Sequence, residues 1–179
     1  GFDRLWVKHL LDLFALPFGQ RYQPVVWLGL LDMFSLLVSV AIAEIVSRVN
    51  DPASPKMVGR ILLALSTGVL IGLFSFALAN TFYLAAAAYI LVYVFRSVIS
   101  PVYTTWVNQR LDSKVRATVL SMSGQVDAIG QIVGGPLVGA IGSLVSVRAA
   151  LLASGLILAP VGALFRWALR ISPGDPPAY

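Results

Sequence analysis

The interval between Arg60 and Arg96 contains no Asp, Glu, Lys, Arg or His. A stretch of about 20 apolar residues already spans the hydrocarbon core of a bilayer, so this interval is too long for a core helix of a small soluble protein. Across the chain, 58% of residues are hydrophobic and 12% are charged, whereas soluble domains carry about 25% charged residues. The sequence therefore predicts an all-α integral membrane protein with a polytopic helical bundle.

Five hydrophobic runs are separated by polar or turn-forming segments. A single helix from 61 to 108 would be about 70 Å long at about 1.5 Å per residue, so this region must divide, and Asn80-Thr81 is the predicted turn. Before the first run, residues 1–23 mix charges with apolar residues at helical spacing, which indicates an amphipathic segment at the membrane interface. The predicted spans are 24–47, 61–79, 82–106, 117–142 and 149–165.

Lysine and arginine are unevenly distributed between the connecting segments. The segments 48–60 and 108–116 each carry three basic residues, and two arginines follow the last span, whereas the turns at 80–81 and 143–148 carry at most one. Since cytoplasmic loops are enriched in basic residues, the richer segments are predicted to face the cytoplasm and residues 1–23 the outside. This predicts a multi-pass protein of the cell (inner) membrane with a cytoplasmic C-terminus, including the tail 171–179. It also accounts for the net charge of +5 without a nucleic-acid partner.

Four charged residues fall within the predicted spans, namely Asp32, Glu44, Arg96 and Asp127. Charges are costly in the hydrocarbon region and usually face protein or a water-filled cavity. Glu44 lies near a membrane end, and we expect it to pair with Arg48 one helical turn further on. The other three lie deeper and are candidates for function.

Arg96 belongs to a polar and aromatic stripe on an otherwise apolar helix. The other members of this stripe are Tyr89, Tyr93, Ser100, Tyr103 and Thr104. Such a stripe is typical of a wall that faces a wet cavity. The alternative is a buried arginine that holds helices together, and the residues alone leave both open.

Asp127 lies on a similar stripe with Ser123, Gln131 and Gly134. Arg96 and Asp127 lie about 18 and 15 Å from the cytoplasmic ends of neighbouring antiparallel spans, so they are predicted to be able to pair. Asp32 is either a coupling carboxylate or part of a fixed salt bridge. The predicted substrate and proton pathway is Asp32, Tyr93, Arg96, Ser100, Asp127 and Gln131.

Small residues mark where membrane helices can approach closely. Three glycine pairs have four-residue spacing, and Gly135-Pro136 is a predicted kink or hinge. The predicted helix-packing residues are Gly68, Gly72, Gly130, Gly134, Gly135, Pro136 and Gly139. The spans 61–79 and 149–165 have few polar residues and are expected to be peripheral, lipid-facing helices.

Four segments together resemble the major facilitator superfamily, in particular its drug-efflux branch. They are the polar loop and helix start at 106–121, the glycine-rich 134–139, and the segments 1–6 and 24–27. The resemblance implies that the five spans are helices eight to twelve of a twelve-helix transporter and that residues 1–23 hold the end of helix seven and its outer loop. The chain is then expected to be a fragment that lacks the N-terminal half.

The resemblance also implies a function. The helix with Arg96 would line a central cavity, and those with Asp32 and Asp127 would flank the interface between the two halves. The expected activity is export of a small organic or amphipathic compound by proton antiport and alternating access. The expected partners are the lipid bilayer, the N-terminal half of the same protein, the substrate and protons.

Two other classes of function were weighed against transport. An intramembrane enzyme would need a nucleophile with a base, or metal ligands, and the chain has no cysteine and a single histidine, His9, which is expected to be peripheral. No enzymatic activity, metal or cofactor is therefore expected. A non-transporting membrane subunit or a ligand-binding membrane protein stays open as the alternative.

Overall fold

In a computed structural model, residues 2–14, 23–49, 55–110 and 113–171 are described, and these residues are all-helical apart from short turns. The predictions for 15–22, 50–54 and 172–179 lie outside the described residues. The helices are α1 (Phe2–Leu13), α2 (Pro24–Val49), α3 (Pro55–Leu78), α4 (Phe82–Arg110), α5 (Ser113–Leu144) and α6 (Val147–Ile171).

Helices α2 to α6 are each long and apolar enough to cross a membrane, and five is the predicted number. The turn after α3 lies at the predicted place, where the Thr81 hydroxyl accepts a hydrogen bond from the Leu84 N–H at 3.3 Å and caps α4. Helix α3 begins at Pro55, earlier than the predicted residue 61, since proline fits the first helical turn. The fold is therefore consistent with a multi-pass membrane protein.

Helix α3 packs against α4 and α6 and is the most buried of the long helices over its most apolar stretch. A Cβ atom added to Gly68 would lie 2.1 Å from the Phe95 ring, and one on Gly72 would lie 2.8 Å from Cγ2 of Val92. These two glycines therefore allow the close approach of α3 and α4. The span 61–79 was expected to be a peripheral helix because it has few polar residues. This expectation is wrong for this chain, since Gly68 and Gly72 allow α4 to pack closely against α3.

The glycines of α5 behave differently. A Cβ atom added to Gly130, Gly134 or Gly139 would meet no atom within 4 Å, and one on Gly135 would only touch the Arg4 guanidinium at 3.5 Å. Within the described chain no neighbouring helix lies against Gly130, Gly134 or Gly139, so their role in helix packing stays a prediction. Helix α5 continues through Pro136.

Helix α1 packs on the bundle. It contacts α4 and α6, and His9 and Leu10 are completely buried there. Its apolar residues at helical spacing, which include Leu5 and Trp6, join the main core cluster. The stripe that indicated an interfacial helix is the stripe that docks α1.

Helices α2 and α5 leave their outer faces open. Only 11% of α2 and 6% of α5 is buried over their most apolar stretches, compared with 50% of α3. Large apolar side chains such as Phe34 on α2 and Ile132 on α5 are mostly exposed. The chain therefore presents two uncovered helices that flank the cavities described next.

Candidate functional site

Two adjoining cavities contain most of the charged residues of the spans. The first, here named the α2 cavity, lies between α1, α2 and α4 and has a volume of about 600 Å³. The second, the α5 cavity, is lined by α1 and α3 to α6 and has a volume of about 850 Å³. Asp3 and Arg96 line both cavities, so their side chains lie where the two meet.

Arg96 pairs with Asp3 of α1, and the Nη1–Oδ1 distance is 2.6 Å. The predicted pair of Arg96 with Asp127 is therefore wrong in this structure. Both residues line the α5 cavity, but it is the Asp3 carboxylate of α1 that lies against the Arg96 guanidinium. Both partners of the observed pair are more than half exposed, at 56% and 66% of their side-chain surface.

Asp32 lies in the α2 cavity and accepts a hydrogen bond from the Tyr89 hydroxyl at 2.5 Å. Ser35 and Ser39 lie on the same face of α2 as Asp32, but their hydroxyl groups do not contribute to this site. Ser35 donates to the Leu31 carbonyl at 2.7 Å, and Ser39 donates to a carbonyl of its own helix in the same way. Among the described residues, no Lys, Arg or His nitrogen lies within 4 Å of the Asp32 carboxylate.

Asp127 and Gln131 lie together in the α5 cavity. The Gln131 side-chain amide donates a hydrogen bond to Oδ2 of Asp127 at 2.9 Å, one helical turn along α5. Both side chains are exposed in this chain. Besides the Asp3–Arg96 pair, the site therefore holds two separate carboxylates, Asp32 in the α2 cavity and Asp127 in the α5 cavity.

Aromatic rings line the α2 cavity next to Asp32. The Trp6 and Tyr89 ring centroids lie 4.3 Å apart, and Tyr93 follows Tyr89 at 6.0 Å. Phe2 stacks on Tyr89 with the ring centroids 5.9 Å apart. The cavity thus combines an aromatic wall with a carboxylate.

The structure brings most of the predicted pathway residues together in two groups. Asp32, Tyr93 and Arg96 line the α2 cavity, and Asp127, Gln131 and again Arg96 line the α5 cavity. Ser100 is exposed on α4 and lines neither cavity. The predicted structural pair of Glu44 and Arg48 is confirmed at 2.8 Å.

Sequence reasoning missed Asp3 and Trp6 because it treated residues 1–23 as an interfacial segment or the end of a preceding helix and assigned none of them to the pathway. The signal was present, since Asp3 and Trp6 are three residues apart and share the face that carries Phe2. A charged residue on the apolar stripe of a docking helix points into the bundle. The sequence therefore marks Asp3 as a candidate, and the structure shows that its carboxylate pairs with Arg96.

His9 is the second correction on α1, because it is completely buried and not peripheral. Its Nε2 donates to the Phe76 carbonyl at 3.0 Å, and Arg148 donates to the Ala79 carbonyl at 3.3 Å, so two side chains satisfy the C-terminal carbonyls of α3. Burial lowers the pKa of His9 below its ordinary value, and the Arg148 charge lowers it further. The hydrogen bond to Phe76 and the negative charge of Asp12 act in the opposite direction and raise the pKa in part. His9 therefore acts as a neutral donor that fixes α1 to α3.

Among the described residues, no three His, Cys, Asp or Glu side chains come together where a metal ion could bind. Comparisons with protein families, with curated proteins and with solved structures find no match to this chain. The fold and the cavities define a helical protein whose five long apolar helices are consistent with a multi-pass membrane protein.

Proposed function

We propose that this chain is part of a secondary active transporter that exports a small organic or amphipathic compound by proton antiport and alternating access. One observation carries the proposal: charged side chains from three different apolar helices, Asp32, Arg96 and Asp127, line two adjoining cavities. In membrane helices such charges mark substrate or proton pathways by default.

The chemistry of the cavities fits this role. Both volumes lie within the range of small-molecule sites, about 300–1,000 Å³. Asp32 and Asp127 are carboxylates, which can take up and release a proton, and neither is within 4 Å of a described cation. Transporters place their substrate and coupling ions in such a position between helices, where two bundles meet.

The open faces of α2 and α5 support a second bundle as the partner. Asp127 and Gln131 are exposed on α5, and lipid chains cannot hydrogen-bond such groups. Another protein surface is needed to enclose the cavities. The proposed partner is the N-terminal half of the same protein, and the bilayer covers the remaining apolar surface.

The test is transport by the complete protein in proteoliposomes with an imposed pH gradient. The probes are two dyes, the cationic ethidium and the uncharged Nile red, and saturable flux of either one that collapses with the gradient supports the proposal. Asp32→Asn and Asp127→Asn should each abolish the gradient dependence. Glu44→Gln is the matched control, since it neutralises a carboxylate of α2 that pairs with Arg48 away from the cavities.

Two outcomes would contradict the proposal. Gradient-dependent flux that persists in both Asn variants would remove the carboxylates from the pathway. Saturable dye binding without any flux would favour the alternative, a ligand-binding membrane protein. Vesicles that contain only these 179 residues should show no flux, because alternating access needs two bundles that move against each other.

A further inference from the structure

Helices α3 and α6 each carry one arginine at the end that lies away from the turn at Asn80-Thr81, namely Arg60 and Arg166. The two helices touch where a Cβ atom on Gly155 of α6 would lie 3.0 Å from Cζ of Phe74 on α3. Arg60 precedes Phe74 by about four helical turns, and Arg166 follows Gly155 by about three. Because both separations are close to whole turns, the two arginines lie on the faces through which α3 and α6 meet.

A core cluster places the two arginines at the same level of the bundle. Val58 and Leu62, which lie on either side of Arg60 in the sequence, belong to this cluster. Phe165, the residue before Arg166, packs against the same cluster. The two guanidinium groups therefore belong to one end of the bundle, on neighbouring faces of two contacting helices.

The charges of Arg60 and Arg166 are not compensated within the described chain. Both residues are exposed, and no described Asp or Glu oxygen lies within 4 Å of either guanidinium. Arg48 differs from them, although it lies on α2, whose last turns pack against the same cluster, because it pairs with Glu44 at 2.8 Å. Two positive charges on contacting helices are thus left for an anion to neutralise.

The surface of α6 beside these charges is apolar. Leu164 is 61% exposed and Trp167 is 64% exposed, and both lie within two residues of Arg166. Tryptophan is enriched at the level of the lipid head groups, and an exposed leucine offers contact to an acyl chain. A small soluble anion could use only the guanidinium groups, whereas a lipid could use the charges and the apolar surface together.

We propose that Arg60 and Arg166 bind the phosphate group of an anionic phospholipid, whose acyl chains lie along Leu164 and Trp167. Arginine pairs with phosphate through parallel N–H···O hydrogen bonds, and basic sites between membrane helices on the cytoplasmic side bind anionic head groups. The sequence predicts that this end faces the cytoplasm, where anionic lipids are concentrated. The head group bridges α3 and α6. Neither arginine lines the α2 or the α5 cavity, so the site goes beyond the proposed transport function.

The test is energy transfer from tryptophan to phosphatidylglycerol that carries a pyrene group on one acyl chain. The complete protein is placed in nanodiscs of phosphatidylcholine, which expose both sides of the membrane, and a pyrene-labelled phosphatidylcholine is the matched probe. Phosphatidylcholine has the same phosphate group but no net charge. We expect more transfer to labelled phosphatidylglycerol than to labelled phosphatidylcholine, and unlabelled phosphatidylglycerol should remove this difference. Added inorganic phosphate should leave it unchanged, because it makes no contact with the apolar surface.

Three variants assign the preference to the two arginines. Arg60→Gln and Arg166→Gln should each lower the preference for phosphatidylglycerol about fivefold, in line with the loss of one basic residue at an anionic membrane surface. The double variant should show no preference. Arg48→Gln is the matched control and should behave like the wild type, because Glu44 already neutralises Arg48. Thermal unfolding shows whether each variant is folded.

Four outcomes would overturn the lipid site. The first is equal transfer to both labelled lipids in the wild type, and the second is an unchanged preference in the folded double variant. If the double variant does not fold, an unchanged preference in both single variants decides in its place. The third is a loss in Arg48→Gln as large as that in Arg60→Gln, because the preference would then follow net charge alone. The fourth is displacement by inorganic phosphate, which would make free phosphate the occupant.

Discussion

Replacement of Leu10 by alanine tests what holds α1 on the bundle. Leu10 is completely buried between α1 and the core, whereas Leu11, the next residue, is 39% exposed. A buried Leu→Ala change costs about 2–5 kcal/mol through lost transfer energy and the cavity left behind. In a bilayer the transfer part is smaller, because lipid chains are also apolar, so we expect a loss near the lower end, about 2 kcal/mol.

The competing explanation is that the Asp3–Arg96 pair fixes α1. Both side chains are more than half exposed, and exposed ion pairs contribute about 0.2–1 kcal/mol. Asp3→Asn should therefore cost clearly less than Leu10→Ala. The pair then serves to position charges between the two cavities, and the apolar contact holds the helix.

The assay is equilibrium unfolding in mixed micelles by titration with sodium dodecyl sulfate. The signal is the fluorescence of the four tryptophans, which include Trp6 at its contact with Tyr89. Leu11→Ala is the matched control and should change the free energy of unfolding by no more than about 0.5 kcal/mol. The reasoning is refuted if Leu11→Ala costs as much as Leu10→Ala, or if Asp3→Asn costs more than either.

Three more predictions concern packing, pH and orientation. Gly72→Ala should destabilise the protein by about 1–3 kcal/mol in the same assay, because the new methyl group meets α4. Gly130→Ala is the control and should change stability by about 0.5 kcal/mol or less in this chain. Equal effects of the two substitutions would contradict the packing described. The lowered pKa of His9 means that, as the pH falls, the unfolded chain takes up a proton before the folded chain does. The contribution of His9 to stability should therefore be present above the ordinary pKa of 6.5 and be lost as the pH falls below it, towards the lowered pKa of the folded chain. His9→Gln should remove that part of the pH dependence, and an unchanged profile would count against the role of His9. In intact cells, an impermeant maleimide should label Asn80→Cys but not Ser54→Cys in this cysteine-free chain, and the opposite labelling would reverse the predicted orientation.

The number and type of the helices could be predicted because hydropathy and turn chemistry act locally. A charge-free interval that is too long for one helix must contain a turn, and Asn80-Thr81 was the polar pair available for it. The packing of these helices could not be predicted in the same way, because it depends on residues that are far apart in the sequence. Gly68 and Gly72 have the same four-residue spacing as Gly130 and Gly134, yet only the first pair meets a neighbouring helix in this chain. The motif permits close approach, but the partner surface decides whether it occurs.

The partner of Arg96 shows where sequence reasoning about the site stops. Depth along a helix follows from residue count, and that count placed Arg96 and Asp127 at similar levels. An ion pair also needs both side chains to point towards each other around their helix axes and the two helices to lie close together. Neither condition follows from a residue count. Helix α1 supplied the nearer carboxylate, because its apolar stripe packs on the bundle and brings Asp3 to Arg96. Asp3 thereby lines both cavities and neutralises Arg96 where they meet.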